Sequence, residues 1–450
     1  MKSFLRSALA GGGLAIFWML NVAAVRADDI PPGAEGSNVV VVGYNNLDDK
    51  PAFKMSIVES GDRWYLYMGH FWVSGWTILD VTDPAKSEVV KFIPGPPGAF
   101  TGQMEISGKT MITALEKPLV PGLLAAKDAP FDEGVIIWDI SDPKNPRAVG
   151  QYKTGGFGTH RNFYAGGKYM HLSARMRGYN GNIYVIVDIQ DPAHPREVGR
   201  WWMPGQAEGE QPEAAPFVSF HGPATVVGDR AYLSYGSAGM VVLDISDVSK
   251  PKLVSQLKFS PPFDPIFGSH TVLPVPDRGI ALVASEIITP NCKGPIGYAG
   301  IVDTSRLPDL RLMALMPQPL PPPHWPIKSF CERGGIFGPH NINTLLHNPS
   351  VQPQGDLVYL TYWNAGLRIY DISAPTAPRE VGYFLPPDPR RRYGPFPRDK
   401  LVAQTEDVLV DRRGYIYATD NNQGVWILKY AGVAQDKPEG ASGKPQRSSP

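Results

Sequence analysis

Trp138-Asp139-Ile140-Ser141-Asp142-Pro143 reads as the end of a short buried strand followed by a tight turn, and the chain repeats it. Leu79-Asp80-Val81-Thr82-Asp83-Pro84 precedes it, and Val187-Asp188-Ile189-Gln190-Asp191-Pro192 and Leu243-Asp244-Ile245-Ser246-Asp247 follow. Val302-Asp303-Thr304-Ser305 and Tyr370-Asp371-Ile372-Ser373 continue the series, and Trp426-Ile427-Leu428-Lys429 is a degenerate seventh copy without the aspartate. The aspartates return about every 50–70 residues, a spacing that signals repeated supersecondary units. Several copies lead into a second short strand: Arg147-Ala148-Val149-Gly150, Arg196-Glu197-Val198-Gly199 and Arg379-Glu380-Val381-Gly382.

One period holds four strands. Around His221 they are expected at residues 224–227, 231–235, 239–245 and 253–259, with Asp229-Arg230 as the first turn. Four short antiparallel strands per repeat define a propeller blade. A solenoid has shorter units as a rule and needs capped ends, which are not evident. Seven copies predict an all-β, seven-bladed β-propeller. The last copy lacks a fourth strand, and Asn38-Val39-Val40-Val41-Val42-Gly43 is a spare strand ahead of the first full unit. Donated to the last blade, it would pair both edges and close the ring.

Composition agrees with many turns between short strands: of 450 residues, 47 are Gly and 46 Pro, and 43% are hydrophobic. Lys+Arg and Asp+Glu are both 43, without basic stripes or acidic blocks, which argues against nucleic acid or anionic membrane as partner. Lys2 and Arg6, an apolar run from Ala8 to Leu20, and the small residues of Val25-Arg26-Ala27 have the order of an export signal. The expected organisation is a signal peptide over 1–27, a propeller over 28–430 and a Gly/Pro/Ser/Lys-rich disordered tail over 431–450. The mature protein is expected to be soluble, periplasmic or secreted. In such an oxidising compartment Cys292 and Cys331 are expected to form a disulfide between two long loops.

The Asp-Ile-Ser-Asp-Pro punctuation resembles the LVIVD-repeat family, over about residues 38–430. The resemblance implies the propeller and leaves the activity open.

Four consecutive units place a histidine at one address, where a Gly- or Pro-rich loop enters the first strand: Gly158-Thr159-His160-Arg161, Phe220-His221-Gly222-Pro223, Gly268-Ser269-His270-Thr271 and Gly338-Pro339-His340-Asn341. First strands line the channel of a propeller, so four imidazoles in register can approach one point. Imidazole binds Fe, Cu, Zn and Ni at about 2.0–2.2 Å. His160, His221, His270 and His340 are therefore the expected metal ligands, weighed against histidines that merely hydrogen-bond loops in a wet channel. Glu406 and Glu286 are expected to orient them through their second N–H. Lys54 and Thr101 take the equivalent address in other blades. Arg175, Tyr235 and Asn364 end second strands near the same mouth, where turn chemistry is the competing role, and Trp325 stands in the longest loop. These six form the expected substrate-contacting set. His70 and His324 lie on the same face, His171 inside a strand, and His194 and His347 in turns.

The long insertions fall at residues 118–133, 204–219, 289–297, 317–339 and 386–404, all connections opening on the face where the histidine-bearing strands begin, whereas first-to-second turns read as short. Function concentrates where a rigid scaffold carries elaborated loops. In plan this resembles the carotenoid-cleaving oxygenases, whose propellers hold Fe(II) with four histidines backed by glutamates. It is also similar in plan to the selenium-binding, methanethiol-oxidising propellers; the sequence motifs of neither are present. The leading expectation is an exported metalloenzyme, an oxidoreductase or lyase on a small, partly apolar molecule, with Fe(II) or Cu favoured and Zn or Ca as alternatives. A non-catalytic propeller binding protein or glycan through its looped face, and a metal-dependent hydrolase or lactonase, are the competing classes. Gly-x-Ser-x-Gly, phosphate-loop and dinucleotide motifs are missing. Oligomeric state is not legible.

Overall fold

Each aspartate of the repeat ends a strand by capping the turn that follows. Its carboxylate accepts from the backbone N–H two residues on, at 3.0 Å for Asp80, 2.9 Å for Asp139, Asp188, Asp244 and Asp303, and 2.8 Å for Asp371. This local bond competes successfully with strand continuation. Asp139, Asp188 and Asp371 also pair with Arg147, Arg196 and Arg379 of the next strand, so the motif joins the third and fourth strands of a blade.

The computed structural model describes residues 31–118, 124, 129–210, 218–259, 268–295 and 297–432; the expected signal peptide and nearly all of the expected tail lie outside them. The chain forms seven four-stranded antiparallel sheets, a seven-bladed propeller with almost no helix among the described residues. In the fourth blade the strands are Thr225–Val227, Arg230–Ser234, Met240–Asp244 and Lys252–Leu257, hydrogen-bonded in chain order. Burial follows radius. The third strand of blade three, Ile183–Asp188, is buried at every residue, whereas its fourth strand, Arg196–Trp201, is mostly half-exposed. A strand sandwiched between neighbouring blades is apolar on both faces, each buried Ile or Val contributing about 1.5–3 kcal/mol.

The glycine after each Arg-x-Val has a packing reason. A Cβ on Gly150 would lie 1.6 Å from the Pro192 carbonyl, and one on Gly199 would lie 1.9 Å from that of Val248. The bare backbone lets the neighbouring blade's Asp-Pro or Asp-Val turn lie against the strand.

Two N-terminal strands finish the last two blades. Val39–Asn45 runs antiparallel to Val425–Tyr430, with Val39 opposite Tyr430. Glu35–Ser37 pairs with Arg379–Leu385 on the outside of blade six. Blade six reaches four strands that way because its innermost segment is held by single bridges rather than as a strand, Ile342 opposite Leu360.

One connection departs from the expected short turns. Blade six passes from its innermost segment to Leu357–Thr361 through residues 344–356, and this segment crosses the channel mouth opposite the histidine face. Asn348 donates to the Ile57 carbonyl at 2.8 Å, Ser350 Oγ accepts from Glu59 N, and Gln352 N donates to the Val410 carbonyl. His347 lies 3.5 Å from Glu105 and edge-on to Phe163. Inner strands of blades one, two, three and seven thus all touch it. Its polarity made it read as an ordinary turn, but its polar groups satisfy backbone across the channel.

Cys292 and Cys331 form a disulfide joining the 289–297 and 317–339 loops on the looped face. The cross-link spans 39 residues, for which chain-entropy arguments give about 2–4 kcal/mol. The Cys292→Ser/Cys331→Ser variant is expected to lose that much by denaturant titration, and an unchanged midpoint would mean the loops hold themselves. Among the described residues no helix is long and apolar enough to cross a membrane.

Candidate metal centre

The four repeated histidines converge at the axis. Successive ring centroids are 4.5 Å apart for His160–His221, 4.1 Å for His221–His270 and 4.6 Å for His270–His340. Their ε-nitrogens face one space. His160 Nε2 is 3.0 Å from His221 Nε2. The Glu286 carboxylate lies 3.5 Å from His221 Nε2, 3.6 Å from His270 Nε2 and 3.4 Å from His340 Nε2. Two donors each about 2.1 Å from one ion are about 3.0–3.4 Å apart, depending on whether the geometry is octahedral or tetrahedral. The observed separations are close to those of adjacent ligands. His221, His270 and Glu286 form the group whose donor atoms all lie within 4.8 Å of one another.

For His160, His270 and His340 the δ-nitrogens explain why the ε-nitrogens are available. His160 Nδ1 meets Glu116 Oε2 at 2.8 Å, His270 Nδ1 meets Thr271 Oγ1 at 2.9 Å, and His340 Nδ1 meets the Glu406 carbonyl at 2.8 Å. With Nδ1–H donating outward, the lone pair remains on Nε2 and points inward. Burial holds His221 and His270 well below the usual histidine range, reinforced by His160 and then Arg161 around His221, and by Arg161 and then His221 around His270. Both rings are therefore neutral at physiological pH, as ligation requires.

The carboxylates differ from expectation in their roles. Glu286, expected behind a histidine, stands on the lone-pair side among the ε-nitrogens. Glu406 follows the expected placement only partly: its backbone carbonyl accepts from His340, while its Oε1 lies 3.3 Å from Nδ1 outside hydrogen-bond geometry. Glu116 takes the orienting role, on His160. The Glu406 carboxyl is held well above the usual range by burial and by the neighbouring Glu286 and Asp407.

Two axial residues were not foreseen. Arg161 is buried with Nη2 2.8 Å from His270 Nε2 and both terminal nitrogens 3.2 Å from Asn341 Oδ1. Asp407 is buried, bonded to Lys54 Nζ at 3.0 Å and to Met55 N at 3.0 Å. Lys54 is thus committed to Asp407 within the channel rather than turned toward a ligand at the mouth.

The other expected substrate contacts have structural partners. Thr101 Oγ1 bridges Gly75 N and O. Arg175 is exposed and lies over the Phe157 ring at 4.9 Å. Tyr235 stacks on Phe220 and donates to Gln206. Asn364 clamps the Phe330 and Gly334 carbonyls, and Trp325 donates to Glu35 on the outside of blade six. His70 is enclosed by the Pro51 carbonyl and Thr77 Oγ1, His171 by Tyr184, and His324 contacts Glu35. The sector of the mouth without the four repeated histidines is aromatic: Phe53, Phe71 and Phe100 touch at 5.1–5.8 Å and Trp72 lies 4.1 Å from Phe71; beside it Trp363 of blade six stacks on His340 at 4.2 Å.

Fold and site together define a class: a seven-bladed propeller with a buried histidine–carboxylate cluster on its axis, a group that could hold a metal ion. Residues 129–154, 178–202, 224–258 and 349–385 match the LVIVD repeat, so four stretches of this propeller carry it. No curated protein matches it. Among solved structures it is similar to the computationally designed Ika8 protein, at 6% identity and TM-score 0.45 over 86% of this chain and 98% of that one. A protein from Lactobacillus plantarum is similar at 12% identity and TM-score 0.47, over 84% and 98%. A hypothetical selenium-binding protein from Sulfolobus tokodaii is similar at 12% and 0.48, over 86% and 92%.

Proposed function

We propose that the axial cluster binds one divalent transition metal through His221, His270 and Glu286, flanked by His160 and His340. On this reading the protein is an exported oxidoreductase or lyase acting on a small, partly apolar molecule. One observation carries it: three ε-nitrogens lie within 3.6 Å of the Glu286 carboxylate, while the δ-nitrogens of His160, His270 and His340 are tied to acceptors. Charge supports it as well. Acidic groups outnumber basic ones by two around the axis: Glu116, Glu286, Glu406 and Asp407 are buried against Lys54 and Arg161, with Glu406 held toward its protonated form. A divalent ion neutralises that excess, and buried charge without compensation is expensive.

Two imidazoles and one carboxylate with further positions open is a donor set that suits non-haem Fe(II). Such an ion would supply Lewis acidity and redox capacity toward dioxygen or substrate. The chain's own part is to fix the imidazole tautomers through Glu116, Thr271 and the Glu406 carbonyl, to exclude bulk water by burial, and to present Phe53, Phe100 and Trp363 to an apolar group. Export is supported by the N-terminal pattern and by the disulfide, since cysteine pairs persist in oxidising compartments.

Protein purified anaerobically without chelator is expected to contain about one Fe or Cu per chain by plasma mass spectrometry. The His221→Ala/His270→Ala variant is expected to contain less than a tenth of that. A chain of unchanged stability that takes up no metal on reconstitution would overturn the assignment.

A further inference from the structure

Arg161 reaches the axis because the inner strand of blade three is irregular. Thr159 pairs with Ala174 and Arg161 with Ser173, so His160 is an extra residue without a partner. A bulge breaks strict alternation and re-aims side chains; here His160 and its neighbour Arg161 both enter the channel. The guanidinium can only donate, and the His270 ε-nitrogen, with Nδ1–H directed at Thr271, can only accept. That nitrogen has one lone pair. An N–H of Arg161 and a metal ion cannot both occupy it.

An alternative seat for the guanidinium is available nearby. Glu406 is fully buried, and neither of its carboxylate oxygens has a hydrogen-bond partner among the described residues. Glu286, Asp407 and Glu406 are the carboxylates whose charge acts on Arg161. Arg161 Nε is itself buried without an acceptor among the described residues. A buried donor and a buried carboxylate stand unmatched in one channel, the condition under which a second arrangement of the same groups would satisfy both.

We propose that Arg161 is the affinity-determining residue of the axial site: its guanidinium holds His270 Nε2 in the metal-free protein and shifts to Glu406 when a cation is bound. This rests on the reading of the cluster as a metal site. Metal uptake then includes the breaking of a buried hydrogen bond and the approach of two positive charges, and Glu406 offsets part of both. Ions that bind imidazole weakly would fail to displace the guanidinium, so Arg161 also sharpens selection among metals.

Full-length protein stripped of metal would be titrated with Co²⁺, read by its visible d–d absorption. Arg161→Met is expected to bind at least tenfold more tightly than the parent. Glu406→Gln is expected to bind several-fold more weakly in the parent background and to have no effect when combined with Arg161→Met. Equal or weaker binding by Arg161→Met, with the parent binding normally, overturns the proposal and leaves the metal site standing. Binding by neither protein, with both folded by circular dichroism, removes the metal site and the proposal together. Should Arg161→Met fail to fold, a crystal structure of the cobalt-loaded parent decides. The Arg161–His270 bond broken and the guanidinium on Glu406 supports the exchange; the bond intact beside a seated ion refutes it.

Discussion

Glu286→Gln is expected to weaken divalent-ion binding about 100-fold or more, the largest single effect on the axial site. The carboxylate follows the second strand of blade five, Ile280–Ala284, and is placed among the ε-nitrogens of His221, His270 and His340. His221 and His270 are held neutral, so among the three proposed ligands Glu286 is the one that would bring negative charge to the ion. An amide oxygen at the same place is uncharged and a weaker donor. Removing a group that merely orients a ligand typically lowers affinity 10–100-fold; removing the charged ligand itself should reach the upper end or beyond, 100-fold being about 2.7 kcal/mol. The metal-free fold should survive, because Asp407 and Glu406 still face Arg161. Cobalt titration of the variant against the parent checks this. A change of less than threefold would mean that Glu286 is not a ligand and that the histidines alone define the site.

The fold was legible because its repeat is punctuated by residues with one dominant local chemistry. An aspartate that caps its own turn, a proline or serine beyond it, and a glycine that admits the next blade mark each unit whatever lies between. The four histidines were legible for the same reason: equivalent positions in a closed ring point to one axis. Glu286 was seen as a nearby carboxylate, but its side of the imidazoles was not, because which nitrogen it meets depends on ring orientation set by Glu116, Thr271 and the Glu406 carbonyl. Arg161 and Asp407 were hidden by period-two reasoning. Next to His160 and Glu406 they should face away; register shifts between Thr159 and Arg161 and between Thr405 and Val408 turn both into the channel. Lys54, expected at the channel address, is likewise placed by a shift of pairing, between Ala52 and Met55 of blade one. The 344–356 segment was missed because hydrogen bonds to distant backbone leave no mark in local sequence.

That segment leads to the second large expectation, a pH effect at the opposite mouth. Glu105 is buried beneath it, accepting from Tyr164 N at 2.8 Å, with His347 at 3.5 Å and Lys54 acting through charge. Burial raises its carboxyl to about 8, only partly opposed by the Tyr164 N–H and Lys54. The sign follows from linkage: between the unfolded value near 4.5 and the folded value near 8 the native state binds the extra proton, so its contribution is complete below about pH 4.5 and is lost as pH rises through 8. At about 1.4 kcal/mol per unit, the loss by pH 9 is on the order of 3–5 kcal/mol. Burial lowers His347 to about 4, and its contribution runs the other way, lost as pH falls from about 6.5 to 4. Above pH 6.5 Glu105 therefore acts alone in this pair. Glu105→Gln keeps the acceptor for Tyr164 and removes the ionisation, so the variant should match the parent near pH 4.5 and exceed it by several kcal/mol at pH 9. Denaturant titrations of both proteins at pH 4.5, 7 and 9 measure the difference. A gap that does not widen with pH would show that Glu105 is already ionised in the native protein, and that Lys54 and the Tyr164 N–H together outweigh its burial.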